Sequence, residues 1–473
     1  MNPQRRQLLL GLGALPWLST AGAAVRERVD VVVIGAGLAG LEAALQLSAR
    51  GAKLRVLEAS ERVGGRLRTV ERGGLRFETG ATDVAASYRR TLARMSELGI
   101  KQQLPAGQMA TALTLNLGGE NVAVTDWAST PYNRLQGEAR ALPPPQLLPV
   151  LLSKTNPLAQ AAAWTDAAHA ELDRPLAAYL SEQGVAGEAL RLAEVGANYS
   201  SLWRTSALDA YRRDALRKQA GSVGGVYQIE GGSSRLPEAM AAKIRDQILL
   251  DSPARAVRRE GRRWVVYTDR GSIQARAVII AVPAACIGDL KLEPALDPVY
   301  APLMQQRLCT AITQVHLRPR RAYWESDGLA PAMWCDGALE RVFSVNDREG
   351  RPERLIVWLN GAGAERLDAL SREDLQRYVL LEMQRLRPAS AGALEVLEVH
   401  SWSKAPWARG AYVEIGAGQC AAVKEALAAL PARLTRTHPG LAFAGEHLCF
   451  DEPGIEAAIT SGEAAVRSVE RSL

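Results

Sequence analysis

Cysteine and histidine are scarce, five of each in 473 residues, and neither type is clustered. Cys286, Cys309, Cys335, Cys420 and Cys449 form no CxxC pair, and their odd number and irregular spacing argue against a disulfide framework and a structural zinc site. The dispersed histidines argue against any metal centre. No histidine, serine or cysteine grouping suggests a covalent intermediate. No apolar run reaches the ~20 residues that a transmembrane helix needs, so no stable membrane span is expected. The charge surplus is small: of a net +6, Arg5 and Arg6 account for two, which leaves about +4 for the rest of the chain. Arg318, Arg320 and Arg321 are read as solvated surface, and nucleic acid is not an expected partner. Internal repeats and low-complexity linkers are also absent. What remains is a chain with 47% hydrophobic and 23% charged residues, long enough for two structural domains and a large core.

The N-terminus stands apart. Arg5-Arg6 precedes an apolar run from Leu8 to Leu18 and the small residues Ala21, Gly22, Ala23 and Ala24. A charged start, a short apolar middle and a small-residue end read as an export signal over residues 1–24. The paired arginines resemble a bacterial twin-arginine signal, although Gln4 and Leu8 stand where Ser/Thr and Phe are typical. The expected location is periplasmic or secreted. An ordinary Sec signal or an uncleaved anchor is the alternative.

Val29-Asp30-Val31-Val32-Val33-Ile34 is a β-branched run of the kind found in buried parallel strands. It leads into Gly35-Ala36-Gly37-Leu38-Ala39-Gly40, a helical pattern to about Gly51, a second strand at Leu54–Leu57, and Glu58. This order suits a dinucleotide. Gly35 permits the tight turn, Gly37 lets backbone N–H groups approach a pyrophosphate, and Gly40 lets helix and strand pack closely. Ala39 belongs to the same cofactor-binding turn, at a helix N-terminus that favours phosphate. Glu58, 18 residues beyond Gly40, is placed to accept from ribose hydroxyls and would repel a 2′-phosphate.

Past the acid, Glu61-Arg62-Val63-Gly64-Gly65-Arg66 resembles the glycine-pair motif of two-dinucleotide-binding flavoproteins. The resemblance implies FAD, with Gly65 and Arg66 beside the pyrophosphate. Val278–Pro283 and Leu441–Glu446 read as further buried strands, and a helical pattern runs from about Ile455 to Val469. The expected fold is therefore α/β: a Rossmann-like FAD-binding domain assembled from 28–83, 222–294 and 402–473. An α+β substrate domain of mixed sheet and helices, 84–221 and 295–401, packs over it. The first of these stretches reads as mostly helical, interrupted by Pro143-Pro144-Pro145 and Pro149. The second has strands around Ala311–Leu317 and Leu355–Leu359, then a helix near Arg372–Arg385.

Together with Gly231-Gly232, Trp402, Gly410-Ala411-Tyr412 and the stretches FAGEH (443–447) and GIEAAITSGEAA (454–465), these motifs make the chain similar to the flavin-containing amine oxidases of the monoamine oxidase and L-amino-acid oxidase group. The resemblance implies that Val257 contacts the adenine side through its backbone and that Gly80 and Ala81 border the isoalloxazine. It places Gly445, Glu446 and Ile455 near the ribityl chain and flavin. It makes Tyr412 one wall of the aromatic pair flanking the amine, with a packed core tyrosine as the alternative, and Trp402 a support for that wall or a substrate contact. Ala411 stands where some monoamine oxidases carry a flavin-linked cysteine, so FAD is expected to be non-covalent.

Three departures bear on substrate. Gly454 replaces the second aromatic wall, for which Phe450 is the candidate substitute. Gln314, ten residues before Trp324, aligns with a lysine that holds a water at flavin N5. Glutamine can orient a water but supplies no charge. Asp83 stands where amino-acid oxidases place a carboxylate-binding arginine; it would favour a cationic amine, unless it is a surface turn residue with Arg89 and Arg90 as the clamp. The implied reaction is oxidation of an amine C–N bond by hydride transfer to flavin N5, giving an imine that hydrolyses to an aldehyde or keto acid. The electrons would pass to oxygen or to a periplasmic cytochrome or quinone. Alternatives are an L-amino-acid oxidase, a desaturase-type flavoprotein, or a non-catalytic FAD-binding accessory protein. Assembly as a homodimer is left open.

Overall fold

The computed structural model describes residues 25–103, 112–221, 224–304 and 307–473. The export segment expected at 1–24 lies outside these residues.

The nucleotide-type sheet is built where the apolar runs demand it. Val31–Ile34 and Ala277–Ile280 are buried at every residue, and they pair in parallel at the centre of a five-stranded sheet. Leu54–Leu57 and then Ile248–Leu249 extend it on one side, and Leu441–Phe443 closes the other, all parallel. Strands buried on both faces need helices on each side. Leu38–Ala49 follows the first strand and packs against the C-terminal helix Gly454–Val469. Segments hundreds of residues apart thus form one sheet, because each offers a short apolar run that a covered parallel sheet can bury; Arg55, within Leu54–Leu57, is accommodated by an ion pair with Glu27 at 2.9 Å.

A second five-stranded sheet lies alongside. Ala254–Glu260, Arg263–Thr268 and Gly271–Ala275 form an antiparallel meander, edged in parallel by Lys291–Glu293 and Val25–Arg28. The third sheet has seven strands in the order Leu394–Ser401, Ile312–Pro319, Pro352–Asn360, Arg341–Asn346, Met333–Cys335, Thr114–Leu117 and Glu120–Ala123. Its alternation is plain in Ile312–Pro319. Val315 and Leu317 face the apolar core shared with the helix Arg372–Leu386, while Ile312 and Gln314 line a cavity on the other side.

The stretch 84–221 is less helical than its composition suggests. Thr114–Leu117 and Glu120–Ala123 form a hairpin across Gly118-Gly119 and join the seven-stranded sheet. The proline triplet does not interrupt a helix; Pro144 and Pro145 begin one, Pro144–Thr155, where missing N–H groups cost nothing, and Pro149 lies inside it. Asp83–Ala85 pairs with Val226–Ile229, so this strand runs across the domain boundary expected between 83 and 84.

A cavity between the glycine-rich turn and the seven-stranded sheet

One cavity of about 1570 Å3 runs from the turn at Gly35 to the face of the seven-stranded sheet. That exceeds the roughly 300–1,000 Å3 of an ordinary small-molecule pocket and is in the range of a dinucleotide with room beside it.

At one end the wall is the glycine-rich turn. Gly35 has φ +104°, and a Cβ there would lie 2.7 Å from the Ala281 carbonyl oxygen. Gly40 does not line the cavity; its Cβ would fall 2.0 Å from the Gly35 carbonyl oxygen, so it serves the helix–turn packing. At Gly37, which does line the cavity, a Cβ would meet nothing within 4 Å. Glu58 closes the turn: Ala36 N donates to its Oε2 at 2.8 Å, while Ser60 N and Oγ donate to Oε1 at 2.9 and 2.7 Å. Both lone pairs of Oε1 are taken by Ser60, whereas Oε2 keeps one for a ribose hydroxyl.

Val257 is a correction. It is fully buried mid-sheet between Val266 and Leu292 and does not line the cavity. Its backbone is committed to the strand ladders on both sides. Pro253, Ala254 and Arg255 form the wall at that end, where Ser252 N donates to the Glu58 carbonyl oxygen at 2.8 Å.

In the middle, Gly65, Arg66, Gly80, Ala81, Gly445, Glu446 and Ile455 all line the cavity. The Arg66 guanidinium is not left facing a phosphate: it donates to the Ala411 carbonyl oxygen at 2.7 Å and to Glu446 at 3.0 Å. Burial pushes the Glu446 carboxyl up, but Arg66, His447 and Arg307 outweigh it and hold the group below its ordinary range. Arg62 and Arg68, missed in the sequence, also line the cavity, and neither forms an ion pair with a carboxylate among the described residues. Arg62 donates to the carbonyl oxygens of Val63, Gly65 and Leu67, which leaves its charge to complement an anion. Both flank the glycine pair, and that position was the available signal.

The far end carries the residues expected at the substrate. Tyr412 is 37% exposed at the cavity edge, on the strand Tyr412–Glu414 that pairs with Leu308–Thr310. That strand is held rigidly. Arg213 donates to the Val413 carbonyl oxygen, Arg307 to that of Glu414 at 3.0 Å, and Ile415 N donates to Asp209 at 3.1 Å. Burial would raise the Asp209 carboxyl, yet Arg212, Arg213 and Arg307 bring it down to about 2. Trp402 is buried, donates through Nε1 to the Thr79 carbonyl oxygen at 2.8 Å and meets His400 edge-on, so its polar atom is already spent on the wall.

Gly454 leaves open space where a second aromatic wall is expected. Phe450 lines the cavity, but it is stacked on Trp164 and lies beneath the Arg212 and Arg307 guanidinium groups. Asp83 faces the cavity with Tyr88 and Glu452, and burial raises its carboxyl above the usual range. Burial, Asp83 and the acids Glu456 and Glu452 push the Tyr88 hydroxyl up to about 12. Arg89 and Arg90 do not line the cavity, and Arg90 is engaged by Glu463 at 3.1 Å and Glu456 at 3.8 Å, so the alternative clamp is not formed. Gln314 lines the cavity between Trp358 and His400, its partners in register on the two neighbouring strands. No group of His, Cys, Asp and Glu that could hold a metal ion occurs among the described residues.

A glycine-rich turn, an acid at its edge, two guanidinium groups that form no ion pair among the described residues and a cavity of this size fit FAD, and they define a dinucleotide-binding flavoprotein. The family model for flavin-containing amine oxidoreductases matches residues 38–469, and the chain belongs to that family. It is 25% identical to putrescine oxidase of Kocuria rosea, over 83% of this chain and 86% of that one. It is 26% identical to a flavin-dependent L-tryptophan oxidase of Lentzea aerocolonigenes, over 94% and 98%. The fold resembles a solved structure of cyclohexylamine oxidase from Brevibacterium oxydans, with a TM-score of 0.73 at 22% identity, covering 93% of this chain and 98% of that chain. The protein is a FAD-dependent oxidoreductase that oxidises amines. No helix among the described residues is long and apolar enough to cross a membrane.

Proposed function

We propose that the substrate is an amine with a second positive charge away from the reacting carbon, such as a diamine. The observation that carries this reading is Asp83, held with Tyr88 and Glu452 in the cavity wall. Asp83 is exposed at the cavity rim, where a carboxylate against the protein surface attracts an ammonium more strongly than it would in bulk water. Putrescine oxidase among the relatives supports the same class.

When bound, FAD supplies the two-electron acceptor for the C–N bond. Gly35, Gly37 and Glu58 would hold its nucleotide half, Arg62 would complement its phosphates, and Ala411 offers no thiol, so the cofactor is held non-covalently. The protein orients the amine: Tyr412 walls one side, the Gly454 gap leaves the other open, and Gln314 faces it from the sheet. An amino-acid substrate is the second reading, favoured by Arg68, whose charge has no carboxylate partner among the described residues. The N-terminal arginine pair and apolar run support export by the twin-arginine route. An exported enzyme can pass electrons to oxygen or to a cytochrome or quinone, and reoxidation rates with each acceptor separate the two.

Anaerobic bleaching of the yellow protein tests the reading. Putrescine, cyclohexylamine and L-tryptophan should be offered in parallel. Fastest reduction by putrescine supports it; fastest reduction by L-tryptophan transfers the assignment to Arg68, and no bleaching by any amine overturns it.

A further inference from the structure

Behind Gln314 lies a chain of buried polar groups with a single consistent assignment of hydrogens. His316 is fully buried and stacks on Phe77 with ring centroids 4.5 Å apart, and the Arg354 guanidinium also lies against the Phe77 ring, 4.6 Å from its centroid. Arg354 Nη1 lies 2.7 Å from His316 Nδ1, and His316 Nε2 lies 2.9 Å from Gln314 Oε1. The strands place them there: Gln314 and His316 are two apart on Ile312–Pro319 and so share a face, while Arg354 lies on the neighbouring strand Pro352–Asn360.

A guanidinium has donors only, so Nδ1 of His316 must accept. A neutral imidazole accepting at Nδ1 carries its hydrogen on Nε2 and donates there. Of the two ends of the Gln314 amide, only the oxygen can receive that hydrogen. Gln314 makes no other side-chain hydrogen bond among the described residues, so both amide hydrogens remain for the cavity it lines.

We propose that Arg354 and His316 are positioning residues that lock the Gln314 amide with its NH2 towards the reacting amine, giving the site a neutral donor wall that receives the lone pair of an unprotonated amine or a bound water and offers no acceptor to an ammonium. The same device recurs next door. His400, opposite Gln314 in register, has Arg68 Nη1 2.7 Å from its Nδ1, and its Nε2 is buried with no partner. Burial and the neighbouring arginines lower both imidazoles, His400 to about 3 and His316 well below its ordinary value, so both stay neutral. The role assigned to Gln314 rests on the amine-oxidising reading of the cavity, whereas the tautomers do not.

Two measurements test this on the FAD-loaded protein. In 15N-histidine-labelled enzyme at pH 7, two-bond 15N–1H correlations, assigned with H316Q and H400Q, should show His316 as the Nε2–H tautomer; an Nδ1–H or doubly protonated His316 overturns the relay. In anaerobic reduction by putrescine, H316L should slow bleaching about 10- to 100-fold while the amine concentration for half-maximal rate moves less than about threefold. H316Q, whose amide can both accept from Arg354 and donate to Gln314, should recover to within about threefold of the parent. Q314E keeps an acceptor for His316 but loses the NH2, so it should be as slow as Q314L, and H316L should add nothing in the Q314L background. Full additivity, or a fast Q314E, overturns the proposal. If no amine bleaches the parent enzyme, the amine reading fails while the tautomer measurement still decides the relay.

Discussion

Arg66 and Glu446 lie 380 residues apart in the chain, yet Nη1 of the first is 3.0 Å from Oε1 of the second. The pair ties the segment after the glycine turn to the last strand of the sheet, and through the Ala411 carbonyl oxygen to the strand that carries Tyr412. Removing Arg66 leaves a largely enclosed carboxylate unpaired. Arg66→Ala should cost about 3 kcal/mol, and a double-mutant cycle with Glu446→Gln should return a coupling of roughly 1–3 kcal/mol. Urea unfolding of the four proteins reads it. The folded carboxyl is held below its ordinary range, so its contribution is full above the unfolded pKa and disappears as pH falls through the folded one.

The glycine turn separates packing from ligand approach. A Cβ at Gly40 would lie 2.0 Å from a backbone oxygen, whereas at Gly37 it would meet nothing within 4 Å. Gly40→Ala should therefore yield little folded protein. Gly37→Ala should melt, without cofactor, within about 2 °C of the parent and bind FAD at least about tenfold more weakly. Flavin fluorescence during titration and thermal melts distinguish the two.

Glu58 holds the turn from below as well as facing the ribose end. Glu58→Ala would strip the hydrogen-bond acceptors from Ala36 N and Ser60 N, at a cost of about 1–3 kcal/mol in the cofactor-free protein, besides weakening FAD. Glu58→Gln keeps one acceptor and should lose less. Calorimetry of apoprotein and holoprotein reads both effects.

Buried neutral histidines make the fold acid-sensitive. His447 is lowered to about 4 and His400 to about 3, chiefly by burial and then by nearby charges. The unfolded chain gains these protons as pH falls through about 6.5, whereas the folded chain does not. Stability should therefore fall as pH drops through this window, by up to about 1.4 kcal/mol per pH unit for each group. Melting at pH 7, 6 and 5, above the carboxylate range, checks it. His400→Gln should flatten the slope.

Asp83 should discriminate between substrates rather than set the rate. Asp83→Asn should raise the half-saturating concentration of putrescine at least about tenfold and leave cyclohexylamine within about twofold. Equal losses with both amines would remove Asp83 from substrate recognition.

The sequence by itself determined the nucleotide half of the protein. Its signals are local: short apolar runs, largely β-branched at Val31–Ile34 and Ala277–Ile280, glycines at fixed offsets and an acid at the strand end act over distances that chain order preserves. The β-strands at Val31–Ile34, Leu54–Leu57, Ala277–Ile280 and Leu441–Phe443 follow from them, because runs buried on both faces have one economical home. Tertiary structure decided what depends on register between distant strands. Val257 belongs to a strand of mixed apolar and charged residues that gives no sign of which of them reaches the cavity, and Ala254 and Arg255 rather than Val257 proved to line it. Nothing in the spacing of Gln314, His316 and Arg354 shows that an arginine 40 residues from Gln314 sets the direction of its amide. That follows only once two antiparallel strands pair, since a shift of one residue would turn Arg354 to the opposite face.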